Sequence, residues 1–499
     1  MTRLLDVNLL MALIMKKPFW VLLLASGFLS PLFAQSGPNT TPAIVAQAAA
    51  AGAPGPPGPF APTWDSIRTN YSMPDWIRDA KFGIFMHWGI YAVPAHQSEW
   101  YEKHMYGNPE VTQWHTEKFG PPDKFGYKDF IPMFTAAKWD PDAWAELFKN
   151  AGAKFIIPTA EHHDGFALWD SAVNPWNAKQ MGPHRDLIGD LSKAVRKQGL
   201  KFGVSNHGIE HFTFIQPTAG QTNDLYDPKW KDFYSVADRS DAACEKFLES
   251  WVAQNEELID KYQPDILWFD NGVNGRVFDP IKLKVAAYYY NRAATWGKPV
   301  SLETKDSAYL AGSVEDFERS SREPKELTDF VWDVDEPVLY RFGYTENSPI
   351  ASANGCVRLL VDCASKNGGL LLNISPKADG TIPDDQQKLL LQIGAWLDVN
   401  GEAIYATRPW KQFGEGSVRF TTKGDTLYAI SLGWPTNGIS IASLATTNSA
   451  AGKIAGVELL GHPGALEFSQ DETGLKIKLP AEKPCDYAFS FKITGLKLK

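Results

Sequence analysis

The chain has 499 residues, enough for two domains, one of them a large barrel. Its 58 acidic against 49 basic residues give a formal charge of −9, which provides no basic surface to grip a phosphate backbone and argues against nucleic acid as a partner. Hydrophobic residues at 44% supply an ample core, while 18 Trp, 17 Tyr and 28 Phe suit sugar stacking and core packing equally and decide nothing alone.

Near the N-terminus, Met15-Lys16-Lys17, the apolar run Phe19 to Leu29 and "SPLFAQS" have the charged, apolar and small-residue regions of a secretory signal. Cleavage is expected near Ala34, with the first 14 residues read as an upstream start. The run is too short to span a bilayer, so no stable membrane insertion is expected. Residues 1–35 are thus read as signal, and export to a periplasm, the extracellular space or, in a eukaryote, a lysosome-like compartment follows. Residues 36–62 ("AAAAGAPGPPGPFAP" at their end) have too little to bury and are expected to be a disordered spacer.

From residue 63 to 404, short β-branched or aromatic runs alternate with amphipathic stretches, the pattern of βα units around a parallel sheet. Strands are predicted at 81–88, 153–163, 201–207, 265–271, 300–304, 313–318 and 369–375. Seven are visible, so a (β/α)₈ barrel requires an eighth that the pattern does not reveal. Asp140 is expected to cap a helix with Pro141 at its first position and Gly152 past its end. Leu187, Leu191, Ala194 and Val195 repeat at helical spacing, as do Phe247, Trp251, Leu258 and Tyr262. Residues 405–499 change to alternating strands, "VRFTTKGDTLYAIS" with a turn at Lys423-Gly424-Asp425, then "GLKIKLP" and "DYAFSFKI", a small all-β sandwich. Cys244, Cys356, Cys363 and Cys485 have no zinc-like spacing. Cys356 and Cys363, seven apart on one helix, are about 10 Å apart and too far to bridge.

The polar residues cluster at the ends of the apolar strands, the active-site face of a barrel. His87 follows the first strand, "EHHD" the second and His207 the third. Asp270 ends the fourth, Lys305 follows the fifth and Glu318 ends the sixth. Each alone is more often structural, and Asp270 in "ILWFDN" has an ordinary alternative as a loop cap. Two carboxylates facing a pocket of histidines and tryptophans suit acetal chemistry, one attacking the oxocarbenium-like centre and the other managing the leaving group's proton.

The motifs "FGIFMHWGIY", "SEWY", "AEHHDGFALWDS", "ILWFDN", "DFER" and "NGGLLLNISPKADGTIP" together resemble the α-L-fucosidases of family 29 of the glycoside hydrolases. The resemblance implies a retaining barrel enzyme that hydrolyses terminal α-L-fucosyl residues of oligosaccharides or glycoconjugates with no cofactor and no metal. It implies fucose binding through His87, His162, His163 and Trp268, with Glu99 and Trp100 at the edge and Asp270 as nucleophile. Glu318 is the candidate acid/base, with Glu323, Asp333 and Glu336 as alternatives. Phe85 is a candidate wall for the C5 methyl, with plain barrel core as its other reading, and Glu161 and Asp164 are expected to orient the histidines or hold their loop. Many members carry an arginine before the acid/base, where "SLETKDS" offers Lys305 instead. An inactive fucose-binding relative and a metal-dependent barrel hydrolase are the rival readings. Assembly into a homo-oligomer is compatible with the chain.

Overall fold

The computed structural model describes residues 40–498 apart from 310, 311, 437 and 449–451. The expected signal and the first residues of the expected spacer lie outside them. Eight strands close a parallel barrel in sequence order: β1 (Phe82–Met86), β2 (Phe155–Glu161), β3 (Lys201–Asn206), β4 (Ile266–Phe269), β5 (Ser301–Lys305), β6 (Ser313–Asp316), β7 (Trp332–Pro337) and β8 (Gly368–Ile374). β8 returns to β1 in register from Phe82 opposite Leu370 to Met86 opposite Ile374. Most of the strands are buried on both faces, which is why most read as unbroken apolar runs. Phe85, Phe155, Ile157, Ile266, Trp268 and Leu371 fill the interior.

The helix signals are realised. Pro141–Asn150 starts at Asp140, whose Oδ1 accepts from the backbone N–H groups of Asp142 and Ala143. Gly152 beyond it adopts φ +88°, where a β carbon would strike Leu397 and the Tyr405 hydroxyl. Leu187–Lys197 and Asp241–Tyr262 pack their repeating apolar residues inward.

Two expectations are corrected. The strand missing from the sequence pattern is β7, whose "WDVDEP" carries three carboxylates and so lacks an apolar signature. The expected disordered spacer contains a helix, Pro42–Ala50, with the Thr41 hydroxyl accepting from Ile44 N–H and Pro42 in the first turn. Ile44, Val45 and Ala48 are buried against the helices Asp241–Tyr262 and Asp279–Trp296. Alanine-rich sequence has high helix propensity, and three buried side chains suffice to dock it. Downstream, the Phe60 N–H donates to Asn291 Oδ1 and the Asn291 amide donates back to the Phe60 carbonyl.

After the barrel, β9 (Arg408–Glu415), β10 (Val418–Lys423), β11 (Thr426–Ser431), β13 (Gly456–Leu459) and β16 (Phe489–Thr494) form one antiparallel sheet. A second holds β12 (Ile439–Ile441), β14 (Phe468–Asp471) and β15 (Gly474–Ile477). Gly424, at φ +59°, makes the tight turn of the predicted β10–β11 hairpin. All four cysteines are free thiols, Cys356 and Cys363 buried on the helix Ala353–Ser365. Among the described residues no helix is long and apolar enough to cross a membrane.

Candidate active site

Asp270 leaves β4 one residue beyond its last paired position, so its carboxylate stands at the C-terminal mouth of the barrel. It heads the short helical turn Asn271–Val273 but makes no capping hydrogen bond, which removes the loop-cap reading. His207 Nδ1 lies 3.2 Å from Asp270 Oδ2 and His163 Nε2 lies 3.5 Å from the same oxygen. The Lys305 ammonium, at the end of β5, donates to Asp270 Oδ1 at 3.1 Å. Burial alone would push the Asp270 carboxyl up. The Lys305 charge and the His207 hydrogen bond outweigh it and hold Asp270 well below the usual carboxylate range.

The same ammonium lies 3.3 Å from Glu318 Oε2 and 3.3 Å from Asp335 Oδ2. Glu318 sits two residues past the end of β6, not on its last residue as expected, and keeps 26% of its side chain exposed. Lys305 thus stands between Asp270 and Glu318. The nearest oxygens of the two acids are separated by no more than its two contact distances combined. Burial opposes the charge on Lys305, but Asp270, Asp335, Glu318 and Asp316 raise its ammonium well above the ordinary range.

The imidazoles form the wall of the mouth. The rings of His87, His162 and His207 lie 4.8 to 5.4 Å apart, and His162 and His163 are 4.3 Å apart. Burial first, then neighbouring imidazole charge, holds His87 and His162 well below the ordinary histidine range, and burial brings His207 down to about 4. Neutral imidazoles can each donate to one hydroxyl and accept from another. His87 is held by Asn373, whose Oδ1 lies 2.7 Å from Nδ1 and whose amide donates to the Phe342 carbonyl.

Trp268 and Phe85 lie behind the histidines and are fully buried. Their rings are 4.9 Å apart, Trp268 lies 5.0 Å from His207 with the planes tilted by 35°, it sits beneath the Lys305 ammonium, and its indole N–H donates to Asp316. Trp100 is 37% exposed at the rim, its ring edge-on to His163, and Glu99 accepts from the backbone N–H groups of Phe342 and Gly343. Asp164 accepts from the Tyr127 hydroxyl and Phe166 N–H, and Glu161 accepts from Asn174, so these two carboxylates hold the loop. The alternative acids stand elsewhere. Glu323 pairs with Lys366, Asp333 feels Lys81, and Glu336 accepts from Ser320 N–H.

Three residues to which the sequence assigned no role join the site. His207 touches Asp270 directly, and its position at a strand end was the available signal. Asn373, a lone amide in the apolar run "LLLNIS", orients His87. Asp335 had no signal because its strand was not legible.

The Alpha-L-fucosidase family model matches residues 47–402 and a model of the Alpha-L-fucosidase C-terminal domain matches residues 411–494. The chain is 34% identical to the tissue alpha-L-fucosidase of Mus musculus over 460 residues, covering 87% of this chain and 94% of that one. It is 32% identical to the human tissue enzyme over 467 residues, covering 88% and 92%. The fold superposes on the Thermotoga maritima alpha-fucosidase solved with fucose at a TM-score of 0.71, 34% identity, 86% of this chain and 99% of that one. With a parallel barrel, an antiparallel C-terminal region and matches along nearly the whole described length, this chain belongs to the α-L-fucosidase family of glycoside hydrolases.

Proposed function

We propose that the protein is an exported, exo-acting α-L-fucosidase that removes terminal α-L-fucosyl residues with net retention, Asp270 attacking and Glu318 serving as acid and then base. The observation that carries the reading is the pair of carboxylates on either side of Lys305. Both acids bond the same ammonium, at 3.1 and 3.3 Å, so an attacking and a proton-handling carboxylate share one barrel mouth, as a double displacement requires. Asp270 remains ionised and ready to attack. His87, His162 and His163 present hydroxyl ligands around it, Trp268 and Phe85 close the floor, and Trp100 and Glu99 shape the rim. Glu318 is favoured over Glu323, Asp333 and Glu336 because it alone among these four touches the cation that touches Asp270. An inactive fucose-binding relative has no use for that second acid.

Azide distinguishes the roles. In Asp270→Gly, azide enters the vacated space and displaces a good aryl leaving group directly, giving β-fucosyl azide. In Glu318→Ala the β-ester still forms from such a substrate, and azide opens it from the other face to give α-fucosyl azide. Wild-type turnover of natural glycans by Glu318→Ala would remove Glu318 from its role.

A further inference from the structure

We infer that the barrel mouth also binds a divalent transition cation, with Zn²⁺ the best fit, on His163, His207 and Asp270, and that the ion acts there as an inhibitor rather than a cofactor. The nitrogens His207 Nδ1 and His163 Nε2 stand 3.2 and 3.5 Å from one oxygen, Asp270 Oδ2. A tetrahedral Zn²⁺ with bonds of about 2.0–2.1 Å places neighbouring ligand atoms about 3.4 Å apart. Two edges of such a tetrahedron are therefore already in place, and both histidines are 1% exposed. To ligate, His207 gives up the Nδ1–H it donates to Asp270 and keeps its proton on Nε2, 3.1 Å from Ser205 Oγ, which can accept it.

The tautomer of His163 favours the ion. Its Nδ1 lies 3.1 Å from the His207 carbonyl, which can only accept, so the proton belongs on Nδ1 and the Nε2 lone pair faces Asp270. An imidazole held from behind by a carbonyl is the usual outer-shell support of a metal ligand. With that tautomer two acceptors confront each other, an arrangement that a sugar hydroxyl or a cation relieves. His87 and His162 supply further nitrogens, forming with His207 a second triad that shares one ligand with the first. Glu210 Oε2, 3.7 Å from His163 Nδ1, adds negative charge, whereas Lys305 on the other oxygen of Asp270 opposes the ion and weakens it. An ion on Oδ2 occupies the atoms assigned above to the sugar and the nucleophile, so the expected competition with fucose rests on that reading.

The test is calorimetric titration of the chelator-treated full chain with ZnCl₂. One site per chain is expected, weakened at least tenfold in Asp270→Asn and at least tenfold by saturating L-fucose in the wild type. Against aryl fucoside, Zn²⁺ should raise the apparent KM and leave kcat unchanged. Absence of saturable binding up to on the order of 1 mM overturns the inference. So does tight binding that Asp270→Asn leaves unchanged, because the ion then sits elsewhere. His163→Gln replaces Asp270→Asn if the latter lacks the wild-type circular dichroism. If L-fucose itself gives no heat while Zn²⁺ still depends on Asp270, the sugar reading fails and the cation site stands.

Discussion

Removing the Lys305 ammonium leaves Asp270, Glu318 and Asp335 without the one cation among the described residues that touches all three. Breaking such a buried arrangement costs about 3–5 kcal/mol, and the carboxylates regain neutrality only by taking up protons. Lys305→Met should therefore lower kcat/KM at least 100-fold and destabilise the protein more at pH 7 than at pH 5, as read by urea denaturation at both values. An equal loss at the two pH values would count against the electrostatic account. A lysine suits this position: a point charge can face three carboxylates in different directions, which a planar fork does less well. Lys305, Asp270 and the paired histidines were legible because each ends an apolar strand in a motif. Their mutual contacts were not, because 35 residues separate Asp270 from Lys305 and only barrel closure brings them together.

At the level of elements, sequence patterning finds the apolar strands and even β5 and β6 with their charged residues, but misses β7. β7 places Asp333, Asp335 and Glu336 in six residues, so periodicity reads it as loop, and parallel pairing to β6 and β8 overrides that local preference. The N-terminal helix fails for the opposite reason: its composition is simple, yet Thr41, Pro42 and the buried Ile44 and Val45 contain all that a docked helix needs. Val45→Asp, placing an unpaired charge at a fully buried position, should detach it. The expected outcome is rapid proteolysis between residues 50 and 62 and a Tm lower by about 2–4 °C per kcal/mol lost. Activity should stay within twofold of the wild type, since none of the catalytic groups lies on this helix. Unchanged proteolysis would show that the docking contributes little.

Across the whole molecule, buried acids and buried histidines pull stability in opposite directions with pH. Glu303 is completely enclosed, and burial, then the charges of Asp333, Asp316 and Asp335, raises its carboxyl well above the ordinary range. Burial likewise takes Asp316 and Asp333 up to about 7. Unfolded carboxyls titrate near pH 4, so above that value the unfolded chain releases protons the fold retains, and these acids cost stability as pH rises to about 7. His207 acts oppositely: from about pH 6.5 down to about 4 the unfolded chain gains a proton the fold refuses, and stability falls on acidification. Glu303→Gln, neutral at every pH, should match the wild type near pH 4 and surpass it increasingly toward pH 7.5. Thermal unfolding across that range measures the difference, and a difference independent of pH would dismiss the linkage.

The four unpaired thiols give the protein a chemical record of its own opening. Burial takes Cys356 up to about 12 and Cys363 well above the ordinary thiol range, and it also raises Cys244 and Cys485. The thiolate, the form that attacks alkylating reagents, is therefore scarce while the chain is folded. Three of these sulfurs belong to the barrel helices, whereas Cys485 packs between the barrel core and the β-sheet core and accepts from the Asn400 amide. The number and identity of alkylated cysteines thus distinguish separation of the two cores from global unfolding of the barrel.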